Sequence, residues 1–354
     1  MLKKGIENIK EYVRGKTIDE IAKEYSLDPS EIVSLASNEN PFGPPPSAIE
    51  SIKKYAGKVN RYPSPEDIKN TTEAISTYTG IKESNIVLGN GSDEIIETAM
   101  KVFIDKGDEV LIPTPSFSYY EVVSRIFNAK PIKVPRDPQF DLNLGRILKK
   151  TRDRTKIIFI CSPNNPTGNT VHKKELERLL KTGKIIILDE AYVEFSKASY
   201  IDLINKWDNL IVLRTFSKAF GMAGLRIGYG AMTGDLSKRF EGVSPPFSIA
   251  SPALKGAAAA LECREFIDKT INKIKKERER LKKEIPFKTY PSEGNFLFVD
   301  VNPLSATYIC EKLMEKGVIV RDCSPMVGED SNFIRVTVGK KEENNKLLKA
   351  MNSI

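Results

Sequence analysis

The sequence predicts an α/β protein: a mainly parallel central sheet in a large domain, with a smaller α/β domain attached. Three observations carry this. The chain has 354 residues, more than one hydrophobic core usually serves, so two lobes of about 100 to 250 residues each are expected. From about residue 85 to 230, short β-branched runs alternate with amphipathic stretches, the pattern of strands buried on both faces and covered by helices. A second, shorter set of strands and helices follows a long charged helix.

In chain order, residues 1–40 form an N-terminal arm and a helix that belong with the small domain, residues 41–270 the large domain, and residues 271–354 the rest of the small one. A proline and glycine cluster, "NPFGPPP", opens the sheet region. The strands are "NIVLGN", "DEVLIPT", "KPIKVP", "TKIIFICS", "KIIILDE", "NLIVLRT" and "LRIGYGAM". Between them, stretches such as "SDEIIETAMKVFIDKG" show helical spacing and end at Gly or Lys. After "VSPPFSIASP" one long charged helix is expected from about Ser251 to Glu284. Strands "NFLFVDV", "VIVRD" and "FIRVTVG" then alternate with helices near 305–316 and 341–352.

Composition excludes several classes of function. Hydrophobic residues make up 40% and charged residues 29%, and no apolar run approaches the roughly 20 residues that cross a bilayer. "MLKKGIENIKEYVRGK" lacks the apolar stretch of a secretory signal, so a cytoplasmic protein is expected. Cys161, Cys263, Cys310 and Cys323 form no CxxC pair, which points to free thiols and to neither a disulfide framework nor a metal site. The single histidine, His172, reads as a solvated or capping residue at a helix start, so a histidine-based triad is excluded. The net charge of +8 raises a basic nucleic-acid-binding protein as an alternative, but the basic residues are interleaved with acidic ones as on solvated helix faces. The same balance steers small anionic ligands.

Chemistry concentrates at the ends of the predicted strands. "LRTFSKAFGMAGLRIGYG" places Lys218 among glycines and apolar residues, with Arg226 eight positions on; alone, it could be a surface lysine beside a turn. "KIIILDEAYVEF" ends a strand in Asp189 with Tyr192 three residues later, at the edge where parallel sheets bind ligands. Asp189 reads either as a helix cap or as the counter-ion of a protonated heterocycle. "FICSPNNPTGN" presents Asn165 at the same edge, although Asn and Pro also make turns. "VLGNGSDEII" runs from strand through a Gly-rich turn into a helix, so N–H groups near Gly91, Ser92 and Asp93 can cradle an anion. Thr215, Ser217 and Arg226 can serve that anion too. A lysine for a Schiff base, an aspartate for a pyridine nitrogen, donors for a ring hydroxyl and an anion cradle together describe pyridoxal 5'-phosphate.

The segment around Lys218 resembles the fold-type I, class II aminotransferases, specifically the histidinol-phosphate aminotransferase branch, over about residues 12–345. The resemblance implies that Lys218 is the Schiff-base lysine, that Asp189 pairs with the pyridine nitrogen, and that Tyr192 and Asn165 hydrogen-bond the ring oxygen. Ser92, Asp93, Thr215, Ser217 and Arg226 would surround the cofactor phosphate. Phe117, in "IPTPSFSYYEV", matches the aromatic that stacks on the ring, with a core phenylalanine as the alternative. Tyr62, in "NRYPSPE", matches the tyrosine given to the neighbouring subunit's phosphate, which implies a homodimer with shared active sites.

"LASNENPFGPPP" and "GNGSDE" read like the histidinol-phosphate branch, and "EYVRGKT" matches its N-terminal arm, placing Tyr12 near substrate. Arg321 and Arg335, on adjacent predicted strands, match the pair that grips the substrate phosphate; a salt-bridged surface arginine is the alternative for Arg321. The implied reaction interconverts histidinol phosphate plus 2-oxoglutarate with imidazole acetol phosphate plus glutamate, a step of histidine biosynthesis. Two features depart from that branch: "PPFSIASPA" stands where something close to "FNVN" is usual, and "VRDCS" resembles threonine-phosphate decarboxylase, a lyase of the same fold. A broad aromatic aminotransferase is a further alternative.

Overall fold

The computed structural model describes residues 16–328 and 331–354. Its first strand, β1 (Val33–Ser34), precedes a run of seven: β2 (Ile86–Gly89), β3 (Glu109–Thr114), β4 (Lys130–Pro135), β5 (Thr155–Cys161), β6 (Ile185–Asp189), β7 (Leu210–Thr215) and β8 (Gly228–Ala231). These seven form one sheet in the order β2-β8-β7-β6-β5-β3-β4. The pairs β4–β3, β3–β5, β5–β6 and β6–β7 are parallel, whereas β8 runs against both its neighbours. All seven expected strands are present. Alternation explains their double burial: Ile158, Ile160, Ile186, Leu188 and Val212 pack on one face, and Ile157, Phe159, Ile187, Ile211 and Leu213 on the other.

β8 is antiparallel because the chain leaves β7 at Thr215 and returns at Gly228 with no crossover helix between them. That short return holds Lys218 and Arg226 at the sheet's carboxyl edge, where β2, β5 and β6 also end. Asp189 keeps the parity of Ile187, so it points to the same face of the sheet.

The remaining strands are β9 (Lys288–Thr289), β10 (Phe296–Asp300), β11 (Val318–Ile319), β12 (Arg321–Asp322) and β13 (Phe333–Thr337). β12, β13, β10 and β9 form an antiparallel sheet, and β1 pairs in parallel with β11, Val33 opposite Val318.

Two expected elements differ. "VIVRD" is not one strand: it pairs with β1 through Val318 and Ile319, then with β13 through Arg321 and Asp322, and switches sheets at Val320. The long charged helix is two, Ser251–Glu262 and Arg264–Glu284, broken at Cys263 with φ −93° and ψ 50°. The first half packs on the Pro46–Ala56 and Pro65–Thr79 helices, the second on the Lys341–Met351 helix and β10. The two halves thus face different partners. His172 stands at the start of the Lys173–Leu180 helix, its N–H donating to Glu175 Oε2 at 3.0 Å, and all four cysteines are free.

Candidate active site

The carboxyl edge of the large sheet opens into a cavity of about 360 Å³. Ser92, Asp93, Phe117, Asn165, Asp189, Tyr192, Thr215, Ser217, Lys218, Arg226, Arg321 and Arg335 all line it. Twelve of the fourteen residues singled out from the sequence therefore converge there, from segments up to 243 positions apart (335 − 92). Tyr62 does not reach the cavity of its own chain: it is 77% exposed and stacks on Phe247, ring centroids 4.6 Å apart. Tyr12 lies outside the described residues.

One end of the cavity has the chemistry to hold an anion. The Gly91–Phe103 helix begins at Gly91 with φ +75°, and its first turn presents N–H groups that have no intrahelical acceptor. A side chain at Gly91 would start 2.8 Å from Arg226 Nη2, and one at Gly228 would start 2.6 Å from Ser92 N. Both positions must stay bare for β8 and the guanidinium to close on the helix end. Arg226 is held there by Asp93 Oδ2 at 3.1 Å and by Ser217 Oγ and Ala223 O, each at 3.3 Å. Thr215 Oγ1 accepts the Ser217 N–H at 3.1 Å, which fixes the turn next to Lys218. Burial raises the Asp93 carboxyl pKa, against the opposing pull of Arg226 and Lys218.

The floor carries a buried carboxylate. Asp189, 5% exposed, accepts the Ala191 N–H at 3.0 Å and the Tyr120 hydroxyl at 2.5 Å. Burial pushes its pKa up to about 6, even though both hydrogen bonds favour the anion. No α-helix lies between it and β7, and the 3₁₀ turn that follows, Val193–Phe195, has Tyr192 and not Asp189 at its cap position, so the helix-cap alternative does not describe this aspartate. The wall holds Tyr192, whose oxygen accepts from Asn38 Nδ2 at 3.0 Å, and Asn165, whose Oδ1 accepts from Arg335 Nη1. Phe117 stands edge-on to Tyr120, centroids 5.5 Å apart.

Lys218 is half-buried, donates to the Ser37 carbonyl at 3.0 Å and stands 5.9 Å from the centre of the Tyr192 ring. Burial first, then the positive charges of Arg335 and Arg226, lower its pKa to about 8, against the opposite pull of Glu39. The amine is thus far closer to neutrality at physiological pH than an ordinary lysine.

Arg321 and Arg335 sit directly opposite each other on β12 and β13. Arg335 is 6% exposed and also donates to the Ala36 carbonyl. Two guanidiniums on neighbouring strands form a cationic wall that suits a doubly charged anion.

The structure adds residues that sequence reasoning missed: Tyr120, Asn38, Ser37, Ala36, Cys161 and Met326. Tyr120 had no usable signal, since Phe117 precedes the Tyr119–Ile126 helix and helical spacing does not link the two. Asn38 had one, an Asn in a Pro- and Gly-rich turn, and its φ is +54°.

A family model described as aminotransferase class I and II matches residues 30–351. The chain is 46% identical over 352 residues to the histidinol-phosphate aminotransferase of Methanosarcina mazei, covering 99% of this chain and 95% of that protein. Among solved structures, the histidinol-phosphate aminotransferase of Clostridium acetobutylicum superposes with a TM-score of 0.84 at 27% identity, covering 91% and 98% of the two chains. The Sinorhizobium meliloti histidinol-phosphate aminotransferase, solved in complex with pyridoxal-5'-phosphate, shares the fold with a TM-score of 0.88 at 23% identity over 99% and 96%.

Proposed function

The chain belongs to the class I and II aminotransferases, and on that premise we propose that it transfers the amino group between histidinol phosphate and 2-oxoglutarate with pyridoxal 5'-phosphate as cofactor. The cavity suits that cofactor on chemical grounds. A lysine with a depressed pKa, a buried carboxylate and a bare-glycine anion cradle lie on one continuous surface. The bound cofactor supplies an electron sink that lets the C–H bond beside the substrate amine break.

The protein's own groups do the rest. Lys218 holds the cofactor and then, as general base and acid, moves the proton at the substrate carbon. Asp189 keeps a proton on the ring nitrogen, Tyr192 and Asn165 orient the ring oxygen, and Phe117 covers the ring face. Ser92, Asp93, Thr215, Ser217 and Arg226 surround the cofactor phosphate. Arg321 and Arg335 grip the substrate phosphate, and Arg335 then takes a carboxylate of glutamate in the other half-reaction. The facing pair Arg321 and Arg335 at the cavity wall is the observation that most supports a phosphorylated substrate. Run towards histidinol phosphate, the reaction is the amination step of histidine synthesis.

The same proposal includes a cytoplasmic homodimer in which Tyr62 completes the partner's phosphate site and Tyr12 approaches substrate. It also keeps residues 1–40 with the small domain, 41–270 as the cofactor-binding domain and 271–354 as the small C-terminal domain. The exposure of Tyr62 and its stack on Phe247 suit a residue that serves another chain. Mixing Tyr62→Phe with Lys218→Ala subunits should regenerate one intact composite site per hybrid dimer. No recovery of activity after demonstrated subunit exchange would remove Tyr62 from the partner's site.

Substrate choice is tested by offering histidinol phosphate, threonine phosphate and phenylalanine separately to the loaded enzyme. Consumption of 2-oxoglutarate with the first alone is expected, whereas carbon dioxide release from the second would make the protein a lyase. Removing either Arg321 or Arg335 should cost about 2–4 kcal/mol in kcat/KM for histidinol phosphate, since a charged hydrogen-bond partner is lost from an enclosed anion site. Phosphate-free histidinol should respond much less. Equal sensitivity of the two substrates to Arg321→Ala would end the phosphate-clamp assignment.

A further inference from the structure

Arg136 follows β4 and is 8% exposed, yet its side chain donates only to backbone carbonyls and to no carboxylate among the described residues. Its backbone N–H donates to Thr114 O at 2.9 Å, Nε to Pro115 O at 3.2 Å and Nη1 to Phe140 O at 3.2 Å. Nη2 is buried with no hydrogen-bond partner. Burial pulls the guanidinium pKa down to about 10, so the group is still a cation at neutral pH. Asp137 and Asp141 act on the cation without pairing with it, and a buried cation with no direct ion pair and an unpartnered N–H opposes folding more than it supports it. Fold stability therefore does not account for it.

Its contacts point to the site. Pro115 O also accepts from Asn164 Nδ2 at 3.1 Å, and the same amide group donates to Thr167 Oγ1 at 2.8 Å. Asn164 Oδ1 in turn accepts from the Ser116 hydroxyl at 2.8 Å. One carbonyl thus joins the turn that leads into Phe117 to the turn that carries Asn165.

We propose that Arg136 is a positioning residue of the cofactor site, pinning the Pro115 carbonyl with Asn164 so that Phe117 and Asn165 are held in fixed relation to each other. Arg136 does not line the cavity and acts only through those two residues. This rests on the pyridoxal phosphate reading above.

The test titrates cofactor-free protein with pyridoxal phosphate and measures Kd and Tm for the parent, Arg136→Met, Arg136→Lys, Phe117→Leu and the Arg136→Met/Phe117→Leu pair. Arg136→Met should bind about tenfold more weakly, a coupling of the size seen between neighbours that act together. Its Tm should be unchanged or higher, an outcome that a merely structural arginine would not produce. In the Phe117→Leu background the same substitution should cost clearly less, because its effect runs through Phe117. Should Arg136→Met fail to fold, Arg136→Lys decides: it keeps the charge but can reach only one carbonyl, and a rise in Kd of about threefold is expected. An unchanged Kd in the folded variant, or strictly additive losses with Phe117→Leu, would overturn the proposal alone. A parent chain that does not bind pyridoxal phosphate would overturn the cofactor reading as well.

Discussion

Asp189→Ala is expected to fold and to retain much of its cofactor while losing turnover by about 10³-fold, since in the proposed mechanism it removes the charge that stabilises the electron-accepting state of the ring. The same carboxylate should reveal itself in stability. Its pKa rises from 3.8 in a model peptide to about 6 in the fold, with burial as the largest cause. A raised carboxyl pKa means that the native state binds the proton more tightly than the unfolded chain. The protonated form is therefore fully accommodated below pH 4, and stability is lost as pH rises through about 6. That difference corresponds to about 3 kcal/mol of burial cost at neutral pH. Cofactor-free Asp189→Asn should accordingly be more stable than the parent at pH 7 to 8, by about 1–2 kcal/mol after the changed hydrogen bonds to Tyr120 and Ala191 are allowed for. The advantage should shrink as pH falls from 6 towards 4. Adding pyridoxal phosphate should reverse the order, because a protonated ring nitrogen offsets the buried charge only when that charge is present. Near-normal turnover in Asp189→Ala would show that the carboxylate only ties the turn at Ala191.

This contrast between a locally costly residue and its use explains how much was legible beforehand. The seven strands of the large sheet were readable because strands buried on both faces are continuous β-branched runs, as in "KIIILD" and "NLIVLRT". Lys218, Asp189, Arg226 and the glycine turn at Gly91 were readable because such residue types are out of place at the ends of apolar runs. The break at Cys263 was not, since nothing in "ALECREFID" interrupts helical spacing, and the change of packing partner that accompanies the break is a tertiary feature. The sheet switch at Val320 was hidden for the same reason: one apolar run satisfies two sheets in turn. Tyr120 and Arg136 were hidden differently. Each touches the site only indirectly, Tyr120 through the Asp189 carboxylate and Arg136 through the backbone carbonyl of Pro115, and a tyrosine or arginine leaves no mark in the sequence of what it will touch.

Lys218→Ala is expected to abolish the visible absorbance of the loaded protein and to reduce turnover by about 10⁴-fold, because in the proposed mechanism it removes both the group that holds the cofactor and the base that moves the substrate proton. Lys218→Arg should do nearly the same, since a guanidinium keeps the charge but does not give up its proton in this pH range. The pH dependence makes the expectation specific. Burial, Arg335 and Arg226 bring the Lys218 pKa down from 10.5 to about 8, so about a tenth of the amines are neutral at pH 7, against roughly one in 3,000 for an ordinary lysine. Capture of pyridoxal phosphate by cofactor-free protein should therefore accelerate as pH rises and level off above about pH 8, some two units below an unperturbed amine. Arg226→Ala or Arg335→Ala removes a positive neighbour, lets the lysine keep its proton to higher pH, and should move that midpoint upward. Borohydride trapping followed by peptide mapping checks the site directly. A cofactor found on another lysine would dismiss Lys218, and a capture midpoint near pH 10 would mean that its surroundings leave it an ordinary amine.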